Sequence, residues 1–154
     1  MKTQSSISFT KEGHEELRQE LETLKSKRIG IIDSLRRARE MGDLSENGLY
    51  KAAKFELGNI DRRLRHISSI LVKSRIVSPS SSDIVQIGCF VKIHDGHKDA
   101  TYRIVGEYEG NPLDGKLSHK SPIGSKLIGR KVGEKITITT SSGETTYTLS
   151  SIHF

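Results

Sequence analysis

The chain has 154 residues, enough for one ordinary domain or two small ones. Its hydrophobic content of 33% and charged content of 29% are typical of a soluble protein, and no apolar run approaches the roughly 18 residues of a membrane span. The single cysteine, Cys89, excludes a disulfide within the chain, and we expect a buried, inert thiol. The first residues lack the apolar stretch of a secretion signal, so we expect a cytoplasmic protein without membrane contact.

The net charge of +6 is concentrated in the first half of the chain. Residues 1–77 carry 16 Lys+Arg against 11 Asp+Glu, whereas residues 78–154 carry 9 against 8. A basic surface of this kind favours a phosphate-rich or acidic partner. A pair of helices whose charges are merely solvated remains the alternative interpretation.

Apolar residues in the first half recur at alternating gaps of three and four positions. That spacing is typical of a helix with one apolar stripe, and it occurs on both sides of a polar stretch near residue 43. The stripes consist of Leu17, Leu21, Leu24, Ile31, Leu35 and Ala38, and of Tyr50, Ala53, Leu57, Ile60, Leu64, Ile67 and Leu71. Two helices of about 30 residues with a short connection must fold back on each other to bury both stripes. The pattern therefore predicts an antiparallel coiled-coil hairpin over residues 1–77, about 45 Å long.

Two residues refine this prediction. Thr10 is a suitable N-cap for the first helix, with acidic residues in the following turns. Arg28 occupies a position of the apolar stripe and interrupts it. Because the stripes are buried against each other, we expect the turn between the helices to be exposed and distant from the rest of the protein.

Residues 78–83, with the sequence SPSSSD, break the helical period and predict a linker. From Ile84 the apolar period falls to about two, and short β-branched or aromatic runs alternate with turn signals. These runs are DIVQIG, CFVKIH, TYRIVG, KITITT and TTYTLSSI. The segment SPIGSKLIG instead predicts a short helix with Pro122 in its first turn. Residues 84–154 should therefore form a small antiparallel sheet with one short helix, which makes the whole chain an α+β protein.

The turn of the hairpin carries Asp43 and Glu46, three residues apart. Such a pair can form a capping box at the start of the second helix. Exposed carboxylates are also hard oxygen ligands that suit Mg²⁺, which commonly takes one or two carboxylates and completes its shell from phosphates, waters or another molecule. The flanking segments 25–39 and 50–75 are both basic, and this charge would steer the turn towards nucleic acid. The pattern thus favours an incomplete Mg²⁺ site, and no motif of a free-standing enzyme accompanies it.

The sequence resembles the bacterial Gre family of transcript cleavage factors over essentially its whole length. AREMGDLSENGLYKAAK matches the family's tip signature A-R-E-x-G-D-L-x-E-N-x-x-Y from Ala38 to Tyr50. FTKEGHEELRQELETLK matches the opening T-x-x-G-x-x-x-L-x-x-E-L, and TYRIVGEYE resembles part of the C-terminal domain. SPIGSKLIGRKVGE favours the GreA branch of that family.

The resemblance implies a monomeric transcription elongation factor that is not an enzyme on its own. Its hairpin would enter the secondary channel of RNA polymerase, while an FKBP-like C-terminal domain docks on the channel rim. Asp43 and Glu46 would complete coordination of a Mg²⁺ ion held jointly with the polymerase active site, so that the polymerase cleaves the 3′ end of backtracked nascent RNA. Arg39 and Lys54 would form a basic patch facing that RNA, and Pro122 and Ile123 would contact the polymerase.

Two further hypotheses belong to other functional classes. The chain could bind the polymerase channel without stimulating cleavage, as an inhibitor or a coiled-coil adaptor. The second domain could instead be a prolyl isomerase by analogy of fold, although its few aromatic residues argue against the apolar pocket this activity needs.

Overall fold

A computed structural model of the chain describes residues 6–81 and 83–154, which divide into two compact units. One unit comprises Glu15–Lys73. The other comprises the described residues up to His14 together with those from Ser74 to Phe154. Strand β1 (Ile7–Phe9) pairs in parallel with strand β2 (Ser74–Ile76) within the second of these units. The domain ranges 1–77, 78–83 and 84–154 stay a prediction. Ser82 of the predicted linker lies outside the described residues.

The helical unit contains most of α1 (Lys11–Glu40) and all of α2 (Gly48–Lys73). Side chains of the two predicted stripes are buried or half-buried along both helices, which confirms the antiparallel hairpin. The most deeply buried of them are Ile31, Ala38, Ala53, Ile60 and Ile67, and they are joined by Ile70. No helix among the described residues is long and apolar enough to span a membrane.

Charged residues join the two helices beside the apolar seam. Arg28, the residue that interrupts the stripe, places its Nε 2.6 Å from Oδ1 of Asp61. Arg63 donates two hydrogen bonds to the carboxylate of Glu20, at 2.6 and 2.8 Å. Exposed pairs of this kind contribute little free energy. They nevertheless favour the observed register of the two helices, because a shift of one helix along the other would separate the paired charges.

The turn between the helices is held by Asn47, which forms the N-cap of α2. Its Oδ1 accepts a hydrogen bond from the Tyr50 amide at 3.1 Å, and its Nδ2 donates to the Ala38 carbonyl at 2.6 Å. One side chain therefore satisfies backbone groups at the end of α1 and at the start of α2. The predicted capping box of Asp43 and Glu46 is wrong, because α2 begins at Gly48 and both acids precede its cap.

The second unit contains a five-stranded sheet in the order β5-β4-β3-β7-β6. Its strands are β3 (Phe90–His94), β4 (Asp99–Val105), β5 (Lys116–Ser118), β6 (Lys135–Thr140) and β7 (Gly143–His153). All neighbours are antiparallel except β4 and β5. A 3-10 turn at Pro112–Asp114 precedes β5, and helix α3 (Pro122–Leu127) follows it. The predicted α+β class, with a long helical hairpin, a small sheet and one short helix, is confirmed.

The apolar face of the sheet forms the core of this unit. Val91, Ile93, Ile104 and Leu149 are almost completely buried there, together with Leu127 of α3. Cys89 is also buried, which confirms that part of its prediction, and burial raises the pKa of its thiol.

The predicted strand DIVQIG is wrong. Residues 83–88 instead form bends and turns. Within them, Val85 donates its amide to the carbonyl of Arg130 at 2.9 Å, and its carbonyl accepts from Gly129 at the same distance. Val85 is buried in the core, whereas Ile84 and Ile87 are half-buried, so the run has the apolar spacing of a strand without forming a ladder.

The start of α1 is bound to the sheet unit through Glu109. Thr10 is the predicted N-cap, and its Oγ1 accepts from the Gly13 amide at 3.1 Å. The Glu109 carboxylate accepts from the Thr10 amide at 3.0 Å, from the Thr10 hydroxyl and from the Gly106 amide at 2.8 Å. A Cβ atom at Gly13 would lie 1.8 Å from Oε1 of Glu109, so this contact requires glycine. The contact with Glu109, which lies 99 residues after Thr10 and 96 after Gly13, therefore explains the Thr10-x-x-Gly13 motif.

Replacing Asn47 by Ala should destabilise the hairpin by about 1–2 kcal/mol, the combined effect of a lost N-cap and one further hydrogen bond. Asn47→Asp keeps the acceptor for the Tyr50 amide and should lose less. Urea unfolding followed by far-UV circular dichroism measures both, with Asn59→Ala, an exposed change on the same helix, as the control. Equal stability of Asn47→Ala and Asn59→Ala would contradict the assigned role of Asn47.

Candidate functional site: the acidic turn of the helical hairpin

The turn at residues 41–47 brings Asp43 and Glu46 to the surface at one end of the hairpin. Both side chains are exposed and line an open cleft of about 570 Å³. Met41, Asn47, Gly48 and Leu49 complete the cleft walls. The predicted pair of acids thus shares a single accessible concavity.

Asp43 is held by its own loop. Its Oδ1 accepts hydrogen bonds from the Ser45 amide at 3.0 Å and from the Ser45 hydroxyl at 2.9 Å. These bonds, that of the amide first, lower the pKa of the Asp43 carboxyl below its ordinary value. Asp43 is therefore fully ionised at neutral pH, and its second oxygen remains available to a ligand.

Glu46 has a different environment. Its carboxylate makes no hydrogen bond or ion pair within residues 6–81 and 83–154. The turn thus combines one oriented carboxylate with one that is free to adjust, and both carry negative charge into the same cleft.

The donor set fits part of a Mg²⁺ shell. Two exposed carboxylates supply hard oxygen atoms of the kind that Mg²⁺ prefers, but its octahedral shell needs about six. The described residues contain no group of three or more His, Cys, Asp or Glu side chains that could hold a metal ion. Asp43 and Glu46 can therefore contribute ligands to an ion whose remaining ligands come from another molecule.

A basic cluster lies beside the turn and is organised by Tyr50. The guanidinium carbon of Arg39 lies 5.6 Å from the centre of the Tyr50 ring. A hydrogen bond from Arg39 and the nearby charge of Lys54 both lower the pKa of the Tyr50 phenol. The structure thus brings together Arg39 of α1 and Lys54 of α2, the two predicted patch residues. The sequence analysis did not predict that Tyr50 contacts Arg39. The available signal was an aromatic residue at a position of the apolar stripe.

The predicted contact residues Pro122 and Ile123 lie in the first turn of α3, in the sheet unit. Ser121 caps this helix, and its Oγ accepts from the Gly124 amide at 3.0 Å. Pro122 is exposed, whereas Ile123 is half-buried and packs against the core. Of these two residues, Pro122 is the more accessible, and their contact with a polymerase stays a prediction.

Family models match both halves of the chain. The model described as "Transcription elongation factor, N-terminal" matches residues 7–76, and the model described as "Transcription elongation factor, GreA/GreB, C-term" matches residues 79–154. Together they include the helical hairpin, the acidic turn and the sheet.

Several proteins of known sequence are similar over nearly the whole chain. Transcription elongation factor GreA of Geobacillus kaustophilus is 39% identical over 94% of this chain and 94% of its own length. The GreA factors of Novosphingobium aromaticivorans and Thermosipho africanus are 38% and 39% identical, over 93% and 90% of this chain and 92% and 90% of their own lengths.

A solved structure, GreA factor homolog 1 of Thermus thermophilus, is 27% identical, with 97% of this chain and 99% of that chain covered and a TM-score of 0.46. The two family models and the identity to curated GreA factors agree from the hairpin to the last strand. The chain belongs to the GreA/GreB family of transcription elongation factors, and its similarity is to the GreA type.

Proposed function

We propose that this factor stimulates RNA polymerase to cleave the 3′ end of backtracked RNA, so that arrested complexes resume elongation. The hairpin enters the secondary channel of the polymerase and carries the acidic turn to the active centre. The observation that carries the proposal is the pair of exposed carboxylates, one of them hydrogen-bonded to Ser45, at the end of a hairpin with basic flanks.

The role of the acidic turn is to present negative charge in a fixed place. Asn47 ties the two helix ends together, and Ser45 orients the Asp43 carboxylate within the turn. Asp43 and Glu46 then offer oxygen ligands to a Mg²⁺ ion that the polymerase holds only in part. When bound, that ion supplies the activation of water and the stabilisation of charge that phosphodiester hydrolysis requires.

The basic cluster supports the same reaction by attracting RNA. Arg39 is positioned over the Tyr50 ring, and Lys54 makes no ion pair within the described residues. Both cations can therefore donate hydrogen bonds to phosphates of the extruded strand, and phosphate contacts position a nucleic acid without reading its sequence.

Docking of the sheet unit completes the proposal. The first turn of α3 offers Pro122 at its surface, while the buried part of Ile123 fixes that turn on the core. We assign this turn to contact with the polymerase, with the factor acting as a monomer and without catalytic activity of its own.

Replacing Asp43 by Asn should lower stimulated cleavage by on the order of 100-fold, the scale seen when an electrostatic group is removed from a reacting centre. Asn can accept the same two hydrogen bonds from Ser45, so the turn is kept while the charge is lost. The measurement is the release of short 3′ fragments from end-labelled RNA in halted, backtracked polymerase complexes.

Two matched variants separate charge from structure in that assay. Ser45→Ala leaves the Asp43 charge in place and should retain most of the activity, and Glu22→Gln, an exposed acid elsewhere on α1, should retain all of it. Full activity of Asp43→Asn would refute the metal role and would favour a factor that only binds the channel.

The double change Arg39→Ala with Lys54→Ala should lower stimulated cleavage by about tenfold without unfolding the hairpin, because two phosphate contacts are lost. Cleavage by this variant should also depend less steeply on salt concentration. The control is Arg65→Ala with Lys73→Ala, which removes the same charge elsewhere on α2. If the two double variants lowered cleavage equally, the effect of Arg39 and Lys54 would be general electrostatic attraction and not specific phosphate contacts.

A further inference from the structure

Phe55 is an aromatic residue of the helical hairpin that neither the core nor the acidic turn uses. It lies on α2 immediately after Lys54, and 74% of its surface is exposed. It makes no aromatic or cation–π contact within the described part of the chain. A large apolar ring is thus offered to solvent beside a residue of the basic cluster.

Cations lie on one flank of Phe55, and the acid Glu56 lies on the other. Lys51 and Lys54 lie on its side of α2, and neither makes an ion pair within the described residues. Arg62, two turns further along, bonds to the Asn59 side chain at 3.1 Å and not to an acid. The neighbouring Glu56 points to the other side, where its carboxylate lies 2.7 Å from Nζ of Lys27.

Helical geometry places these groups on one continuous surface. At 3.6 residues per turn, Lys54, Gly58, Lys51, Arg62 and Phe55 fall within an arc of about 100° on α2. Gly58 leaves this arc open, since a Cβ atom built there would meet nothing within 4 Å. We call this arc the Phe55 face. It combines an accessible ring with three cations and no acidic side chain.

We propose that the Phe55 face binds single-stranded RNA, with a base stacked on the Phe55 ring and the adjacent phosphates held by Lys51 and Lys54. An exposed aromatic residue next to unpaired cations is the arrangement by which proteins hold single strands without sequence preference. The ring supplies a stacking surface that any base can use, and the lysines supply the charge that phosphates need. Lys51, Lys54 and Arg62 share the arc with no acidic side chain, and this charge favours a polyanion over a protein surface, so RNA is the favoured occupant.

This inference rests on the proposed function for its biological setting, the RNA strand extruded from a backtracked complex. It adds a residue that acts on a base, whereas Arg39 and Lys54 act on phosphates. The Phe55 face itself can be tested on the free full-length factor, without polymerase.

The chain contains no tryptophan, so Phe55→Trp introduces a single tryptophan on the proposed surface, which can be excited selectively over the four tyrosines. Stacking on a base should quench its emission when a short oligouridylate is added at low ionic strength. Polyphosphate, which offers the charge without bases, and double-stranded RNA, whose bases are already stacked, should quench it much less. The same quenching by polyphosphate, or none by oligouridylate, would overturn the proposal.

A second measurement uses the affinity of the factor for the same labelled oligouridylate. Phe55→Leu keeps an apolar side chain without a π face and should weaken binding by about fivefold to tenfold, within the range measured for one stacked base. Phe55→Trp should retain the affinity, and Val72→Ala, which alters a residue 86% exposed near the far end of α2, should not change it. An unchanged RNA affinity of Phe55→Leu, combined with weaker binding to polymerase, would assign the face to a protein contact and overturn the proposal.

These outcomes are independent of the cleavage assay. Quenching by oligouridylate with a fully active Asp43→Asn variant would leave the RNA surface standing and remove the metal role. Absence of quenching together with an inactive Asp43→Asn variant would refute the RNA surface and support the metal role.

Discussion

The packing of α1 against α2 along their apolar seam is the interaction on which the functional features depend. Buried residues such as Ile31, Ala38, Ile60 and Ile67 fix the two helices side by side. The ion pairs Arg28–Asp61 and Glu20–Arg63 define their register. The register determines where α1 ends relative to the start of α2, and therefore the position of the turn between them. At this turn Asn47 forms hydrogen bonds with both helix ends.

This register also determines which charges meet around the turn. It brings Arg39 of α1 over Tyr50 of α2 and leaves Lys54 beside the same ring. The result is a strong local contrast of charge, with two carboxylates at the turn and a basic surface directly next to it. A site of this form is suited to a partner that offers both a metal ion and phosphates. The carboxylates would bind the metal ion, and the basic surface would bind the phosphates.

Residues with local roles were predictable from the sequence. The stripes of α1 and α2, the Thr10 cap, the short helix at Pro122 and four of the five predicted strands depend on spacing and on nearby turn chemistry, and all of these are present. The run DIVQIG imitates a strand, because an irregular segment with Val85 in the core has the same apolar spacing. The parallel pairing of β1 with β2 and the contact of Glu109 with Thr10 join residues far apart in sequence, and local patterns carry no information on such contacts.

The site was predictable in its composition but not in its geometry. The positions of Asp43 and Glu46 suggested a capping box, yet the cap is Asn47 and the partner of Asp43 is Ser45. The spacing of two acids cannot distinguish these arrangements, because Asp, Asn and Ser all accept bonds from nearby amides. The exposure of Phe55, in contrast, follows from its position outside the apolar stripe of α2, between Ala53 and Leu57.

The central claim is that the acidic turn supplies ligands to a Mg²⁺ ion shared with the polymerase. Its most direct test is the Mg²⁺ dependence of RNA cleavage in backtracked complexes, measured with the unaltered factor, with Asp43→Asn and without factor. We expect the unaltered factor to lower the Mg²⁺ concentration for half-maximal cleavage by about tenfold, the lower end of the range by which a changed ligand environment alters metal affinity. Asp43→Asn should leave that concentration close to its value without factor. The same half-maximal Mg²⁺ concentration with both forms of the factor, whatever their maximal rates, would contradict the claim.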